Sequence, residues 1–345
     1  MSPSPAPVWR SLAEVPSSLG PSAVAIGNFD GVHRGHRAVL RHLADAAADR
    51  ALAAVALTFW PHPRHVCVGP GDPVLLTSRD DRDRLLSLSD LAGVLDLEFT
   101  WDFAQYSAED FVRIFLVEGL GMRLVVMGED SRFGRANEGD ITTMRQLADR
   151  YGFEVLTVGD HGLGESTATP STTRVSSSAI RAALEDGDVP AATAMLGRYP
   201  TVTDLVHHGH KRGRELGFPT ANLGPAPQGM VPADGVYAGY LTVVRQAPEH
   251  HGAPVLDRAP ATMSIGTNPT FATPENPSPR IVEAYVHGDH DLDLYGDLVR
   301  LELVERQRPT VRFDSVEDLI AQMHLDADVT RRTVAEAERS ADLLG

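Results

Sequence analysis

The chain has 345 residues, room for about two domains of roughly 150 residues each, and its 42% hydrophobic content can supply both with a core. A formal charge of −16 and a pI near 5.2 set up a field that repels polyanions, which excludes broad attraction to nucleic acid or anionic lipid and leaves any phosphorylated substrate to local donors. A single cysteine, Cys67, excludes an intramolecular disulfide and fits a reducing cytoplasm.

The opening segment MSPSPAPVWRSLAEV lacks the apolar core of a signal peptide, and the longest apolar stretch, near 51–60, is too short to cross a bilayer. Apolar runs at 24–29 and 52–59 flank an amphipathic pattern over 37–49, with Val39, Leu40, Leu43 and Ala47 on one face. Ser107 and Asp110 open a helix expected over 107–118, and strands are expected at 123–127 and 153–158. Continuous apolar strands alternating with helices predict a Rossmann-like, doubly wound α/β domain built on a parallel sheet.

The Gly-, Ser-, Thr- and Pro-rich stretch 159–174 reads as a surface loop, followed by the helical pattern SAIRAALEDG. The domain boundary is placed after that helix, near Gly187, which divides the chain into 1–186 and 187–345. Beyond it, strands are expected at 236–244, 261–265, 281–286 and 298–305, separated by loops such as ATPENPSPR. Short strands without crossover helices predict an antiparallel β-barrel, closed off by terminal helical segments at 316–323, opened by Ser315 and Asp318, and at 328–344.

The string VAIGNFDGVHRGH at 24–36 sets a Gly-rich turn between an expected strand and an expected helix. Gly27, Gly31 and Gly35 let backbone approach phosphate oxygens, the helix start offers free N–H groups, and His33 and His36 can donate to charge building on an α-phosphate. No protein nucleophile is needed, because an incoming phosphate can attack ATP directly and expel pyrophosphate. No G-x-G-x-x-G follows an early strand, so the dinucleotide-binding Rossmann fingerprint is absent.

G-x-F-D-G-x-H-x-G-H resembles the signature of the bacterial bifunctional riboflavin kinase/FMN adenylyltransferase family, within the nucleotidyltransferase superfamily. The resemblance makes His33 and His36 catalytic and puts Gly27, Phe29, Asp30, Gly31 and Gly35 at ATP. TFWPHP at 58–63 is similar to a segment whose prolines, here Pro61 and Pro63, line the flavin; Trp60 stands where an acidic residue is common. GEDSRFG at 128–134 resembles a G-x-D/N-F-x-F-G segment, which implies Asp130 at the nucleotide and Phe133 at the flavin, with Ser131 in place of the usual first aromatic. VSSSAIR at 175–181 is similar to S-S-T-x-I-R, implying that Ser176, Ser177, Ser178 and Arg181 bind ATP phosphates.

In the second half, GHKRGRELGFPTANL at 209–223 joins a Gly- and Arg-rich stretch to a PTAN tetrad. Gly213 and Gly217 permit a phosphate-facing loop, Lys211, Arg212 and Arg214 offset charge, and Thr220 and Asn222 offer hard oxygens suited to Mg²⁺. This half resembles the riboflavin kinase module of the same family. The resemblance implies ATP binding by Gly213, Arg214, Gly217, Pro219, Thr220 and Asn222, metal binding by Thr220 and Asn222, Glu283 of IVEAYV as general base, and Arg308 at the flavin. Where the family commonly has Gly-x-Val ahead of this loop, the chain reads Asp204-Leu205-Val206.

The resemblance implies an enzyme that uses ATP as co-substrate with Mg²⁺ to phosphorylate riboflavin to FMN and to adenylylate FMN to FAD. Its partners are those small molecules, with neither nucleic acid nor membrane, and a homo-oligomer stays open. Trp60 and Ser131 keep a second reading open, a riboflavin kinase or flavin-analogue enzyme with an altered N-terminal domain, and a flavin-binding regulator without chemistry is the third.

Overall fold

The alternating pattern of the first half assembles as a six-stranded, wholly parallel sheet. The structure is a computed structural model and describes residues 4–158, 175–208, 217–252, 255–267, 280–288 and 293–342. Contacts divide the chain into two units, Met1–Val74 with Arg79–Ser176, and Leu75–Ser78 with Ser177–Gly345.

The first unit runs β1 (Val8–Trp9), β2 (Ser22–Ile26), α1 (Arg34–Ala48), β3 (Ala53–Trp60), α2 (Pro63–Cys67), α3 (Arg79–Ser87), β4 (Gly93–Glu98), α4 (Ala108–Phe111), β5 (Met122–Gly128), α5 (Ile141–Tyr151) and β6 (Glu154–Val158). The sheet order is β1-β4-β3-β2-β5-β6, so the chain leaves β2 in one direction through β3 and β4 and returns to its other side with β5 and β6. That reversal is a topological switch point, where open parallel sheets bind ligands beyond their carboxyl ends. The two sheet faces are both covered. Ala23 and Ala25 of β2 pack with Leu40 and Leu43 of α1, while Val24 packs with Val112 and Leu116. Burying a leucine such as Leu40 or Leu43 stabilises by about 1.5–3 kcal/mol.

Local chemistry moves two expected boundaries. The strand expected to reach residue 29 stops at Ile26, because Phe29 takes a φ of 49° that no strand accommodates. Helix α1 begins three residues earlier than its apolar pattern, because His33 caps it: the His36 amide donates to His33 Nδ1 at 3.3 Å. Ser107 caps α4 as its spacing suggests, accepting from the Asp110 amide at 3.0 Å, and the helix continues as a π-helix over Val112–Glu118.

The second unit contains α6 (Ser177–Asp186), α7 (Val189–Leu196), β7 (Thr201–His207), β8 (Thr220–Leu223), β9 (Gly235–Arg245), β10 (Ala259–Gly266), β11 (Ile281–Val286), β12 (Leu298–Arg308) and α8 (Val316–Asp342). The six strands form a closed antiparallel barrel, β10-β11-β8-β7-β12-β9, filled by Met263, Ile265, Ala284, Leu301 and Leu303. The two helical segments expected at 316–323 and 328–344 are a single helix of 27 residues. The apolar pattern lapses near 324–327, yet Asp326 and Ala327 are buried there, so the helix is continued by packing on the barrel. Helix α6, placed by the sequence at the end of the first domain, groups with the second unit, where Ile180 and Leu184 join Ala192, Leu196 and Met230.

Candidate functional site

Three of the motifs converge because the sheet brings them together. The loops after β2, β3 and β5 all leave the carboxyl ends of neighbouring strands, so VAIGNFDGVHRGH, TFWPHP and GEDSRFG share one edge of the first unit.

The β2 loop is tightly wound. Gly27 N donates to Leu57 O at 3.0 Å, the Thr58 hydroxyl donates to Asn28 O at 3.2 Å, and Phe29, Gly31 and Val32 all have positive φ. At Gly31 that conformation, φ 81°, is the one that favours glycine. Asp30 is buried at its base. Gly35 serves a different need: a Cβ there would sit 3.1 Å from the His33 ring and 3.6 Å from the Val175 carbonyl. Its absence lets His33 lie against His36, with ring centroids 3.6 Å apart and planes 17° from parallel, while Phe29 meets His36 edge-on at 5.3 Å. Burial, reinforced by His33, holds the His36 pKa well below the usual range, so this imidazole is neutral. Because His33 Nδ1 accepts from a backbone amide, a neutral His33 carries its proton on Nε2.

Pro61 and Pro63 follow β3 half-exposed, and His62 caps α2 through the Arg64 amide. Trp60 carries guanidinium groups on its ring, Arg82 at 5.6 Å and Arg79 at 5.9 Å from the centroid. Both arginines bind the fully buried Asp96, Arg79 Nε at 2.6 Å and Arg82 Nη2 at 2.8 Å. The sequence reading missed this cluster, because Arg79 and Arg82 of α3 meet Asp96 of β4 only once that helix packs on the strand. Asp130 is exposed on the turn after β5, and Phe133 is buried against Phe111 with centroids 6.4 Å apart. Ser176 belongs to the first unit, whereas Ser177, Ser178 and Arg181 open α6 in the second.

In the second unit, Gly213 and Arg214, with Lys211 and Arg212, lie outside the described residues, as does 159–174. Gly217 has a φ of 82° and precedes Pro219, which leads into β8. Register then assembles the rest: Asn222 pairs with Glu283 and Thr220 with Tyr285 across β8 and β11. Val282 and Ala284 point into the core, so Glu283 and its partner Asn222 stand on the outer barrel face, with Thr220 and Tyr285 beside them. Asn222 Nδ2 donates to the Thr220 carbonyl at 3.2 Å, which turns Oδ1 outward as an acceptor. That carbonyl-type oxygen and the Thr220 hydroxyl are hard neutral donors of the kind Mg²⁺ accepts alongside phosphate oxygens and water. Arg308 lies on the same row around the barrel and is clamped by Asp326 of α8, Nε to Oδ1 at 2.9 Å and Nη2 to Oδ2 at 2.7 Å. Among the described residues, no helix is long and apolar enough to cross a membrane.

A Gly- and His-rich loop at a parallel switch point in one unit, and Glu283 beside Asn222 on an antiparallel barrel in the other, suit a protein of two phosphorus-transfer units. An FAD synthetase family profile matches residues 15–174, and a riboflavin kinase profile matches 196–334. The bifunctional riboflavin kinase/FMN adenylyltransferase of Escherichia coli K12 is 33% identical over 88% of this chain and 90% of its own length. That of Listeria monocytogenes is 34% identical over 91% and 93%. A crystal structure described as a macrolide-efflux protein from Streptococcus pneumoniae superposes with a TM-score of 0.76 at 27% identity, covering 94% of this chain and 98% of that one. The chain belongs to the bifunctional riboflavin kinase/FMN adenylyltransferase family.

Proposed function

We propose that this chain makes FAD from riboflavin in two ATP-dependent steps, phosphorylation to FMN by the segment 187–345 and adenylylation of FMN by the segment 1–186, in the cytoplasm. The observation that supports the reading is that His33 and His36 stack at the sheet's switch point in one unit while Glu283 stands beside Asn222 on the barrel of the other.

In adenylylation, an FMN phosphate oxygen bonds to the α-phosphorus of ATP as the bond to pyrophosphate breaks. His33, whose Nδ1 accepts from the His36 amide, donates from Nε2 to the charge that grows on the α-phosphate, and neutral His36 backs it without adding a competing cation. The backbone of Gly27 to Gly31 cradles the phosphates with Phe29 and Asp30 fixing the turn, Asp130 and the Ser176 hydroxyl add donors and acceptors, and Pro61, Pro63 and Phe133 form the flavin side. In phosphorylation, the Glu283 carboxylate takes the proton of the riboflavin 5′-hydroxyl while that oxygen bonds to the γ-phosphorus and ADP leaves. Gly213, Arg214, Gly217 and Pro219 shape the nucleotide loop, and Arg308 faces the flavin ring. Thr220 and Asn222 would hold Mg²⁺, which when bound with ATP offsets charge on its phosphates.

The test follows purified protein with riboflavin, ATP and Mg²⁺, resolving FMN and FAD over time. FMN should appear first and FAD after it. His33→Ala should slow FAD formation by about 100-fold or more and leave FMN formation intact. FMN accumulating without FAD in the unmodified protein would overturn the adenylylation half.

A further inference from the structure

Arg308, Val236, Ser264 and Glu283 occupy one register row around the barrel, each paired with the next across β12, β9, β10 and β11. Three strand spacings separate the ends of this row, about 14 Å. That reach is comparable to a flavin measured from its 5′-hydroxyl to the pyrimidine edge of its ring. Between the two ends stand the small side chains of Val236, which is buried, and Ser264, which is exposed.

At Arg308 the geometry is over-determined. Its Nε and Nη2 both bind Asp326, its Nη1 donates to the Pro309 carbonyl at 3.1 Å, and Phe313 lies 5.9 Å from the guanidinium carbon. Asp326 is held in turn by Gln322, whose Nε2 donates to Oδ1 at 2.9 Å. A guanidinium has five N–H donors in a rigid plane, and these three bonds leave one on Nη1 and one on Nη2. With the Pro309 carbonyl on the outer N–H of Nη1, the two remaining donors form a second fork, matched to two adjacent acceptor atoms. The Asp326 side chain is only 7% exposed, and a buried ion pair commonly contributes no more stability than a well-packed apolar pair. Its value here is directional: it fixes the plane of the fork, and it cancels a charge that a neutral flavin ring would otherwise have to desolvate.

We propose that Asp326 is a positioning residue for riboflavin phosphorylation, locking the Arg308 fork so that its remaining edge meets a carbonyl oxygen and the adjacent acceptor ring nitrogen at the pyrimidine end of the flavin. This rests on the flavin-side role of Arg308. The test is steady-state riboflavin kinase kinetics of the full-length chain. Asp326→Asn should raise the KM for riboflavin about tenfold, the loss of one charge-assisted bond, while the KM for ATP and kcat stay within about twofold. Arg308→Ala should do the same, and the Arg308→Ala/Asp326→Asn double variant should be no worse than Arg308→Ala alone. Arg308→Lys keeps the ion pair to α8 but not the planar fork, so it should also lose riboflavin affinity. Additive losses in the double variant, or a silent Arg308→Lys beside an impaired Arg308→Ala, would reduce Asp326 to a helix tether and overturn the proposal. An unchanged riboflavin KM in Arg308→Ala would instead overturn the flavin-side role of Arg308, and the positioning role with it.

Discussion

His33 and His36 stack at a centroid distance of 3.6 Å, a spacing that two imidazolium ions could not share without strong repulsion. The H-x-G-H string made both residues legible, but not that His33 spends Nδ1 on capping α1, which only backbone geometry reveals. Histidines elsewhere divide by environment. His287 is pushed down to about 4, chiefly by burial and further by Arg331, with Asp328 opposing; its Nε2 meets the Thr262 hydroxyl at 2.8 Å and its ring lies 5.2 Å from Tyr285. A histidine with a lowered folded-state pKa contributes stability that is present above its unfolded value near 6.5 and lost as pH falls towards 4. The loss is at most about 3 kcal/mol. His250 has the opposite sign: a hydrogen bond to Asp297 at 2.8 Å raises its pKa, so its contribution is present below 6.5 and lost as pH rises through the raised value. Urea midpoints of the barrel transition, measured from pH 7 down to 4.5, should fall less steeply for His287→Gln than for the unmodified protein. Parallel curves would mean that His287 is not held neutral in the fold.

Helix α8 is the element that sequence patterning read least well, and the reason is visible in its anchors. Among the described residues, two of its four buried side chains are polar where an amphipathic pattern would require apolar residues: Asp326 on Arg308, and Thr330, whose hydroxyl lies 2.7 Å from the Thr262 hydroxyl and accepts from Gln307 Nε2 at 2.6 Å. Strands β7 and β8 were missed for a related reason. TVTDLVH breaks alternation at Thr203-Asp204 and Leu205-Val206, TANL is only four residues long, and their strand character comes from closing the barrel between β11 and β12. By contrast β11, with cleanly alternating burial, was legible to the residue. Thr330 is fully buried, so Thr330→Val keeps its shape but leaves Gln307 and Thr262 each short of a partner. This should cost about 2 kcal/mol, read as a lower denaturant midpoint for the barrel transition. A change below about 0.5 kcal/mol would show that water replaces the hydroxyl and that α8 is held by its other contacts.

At the scale of the molecule, the change from parallel to antiparallel architecture was legible because the apolar periodicity changes with it, but the point of division was not. The helix Ser177–Asp186 carries a motif that resemblance assigns to adenylylation, and the sequence accordingly kept it in the first domain. Packing assigns its apolar face to the second unit: Ile180 and Leu184 are 0% and 1% exposed in a cluster with Ala192, Leu196 and Met230. A fragment beginning at residue 187 removes both side chains and exposes the surfaces they cover, a loss of about 4 kcal/mol for two buried aliphatic residues. Fragments 177–345 and 187–345 should therefore differ sharply in urea midpoint, the shorter being the less stable and, given the 5–15 kcal/mol that typically holds a domain together, close to unfolded at 37 °C. Both should retain some riboflavin kinase activity at low temperature, since Thr220, Asn222, Glu283 and Arg308 are present in each. Equal midpoints would place the energetic boundary at residue 187, with α6 contributing nothing to the barrel it packs against.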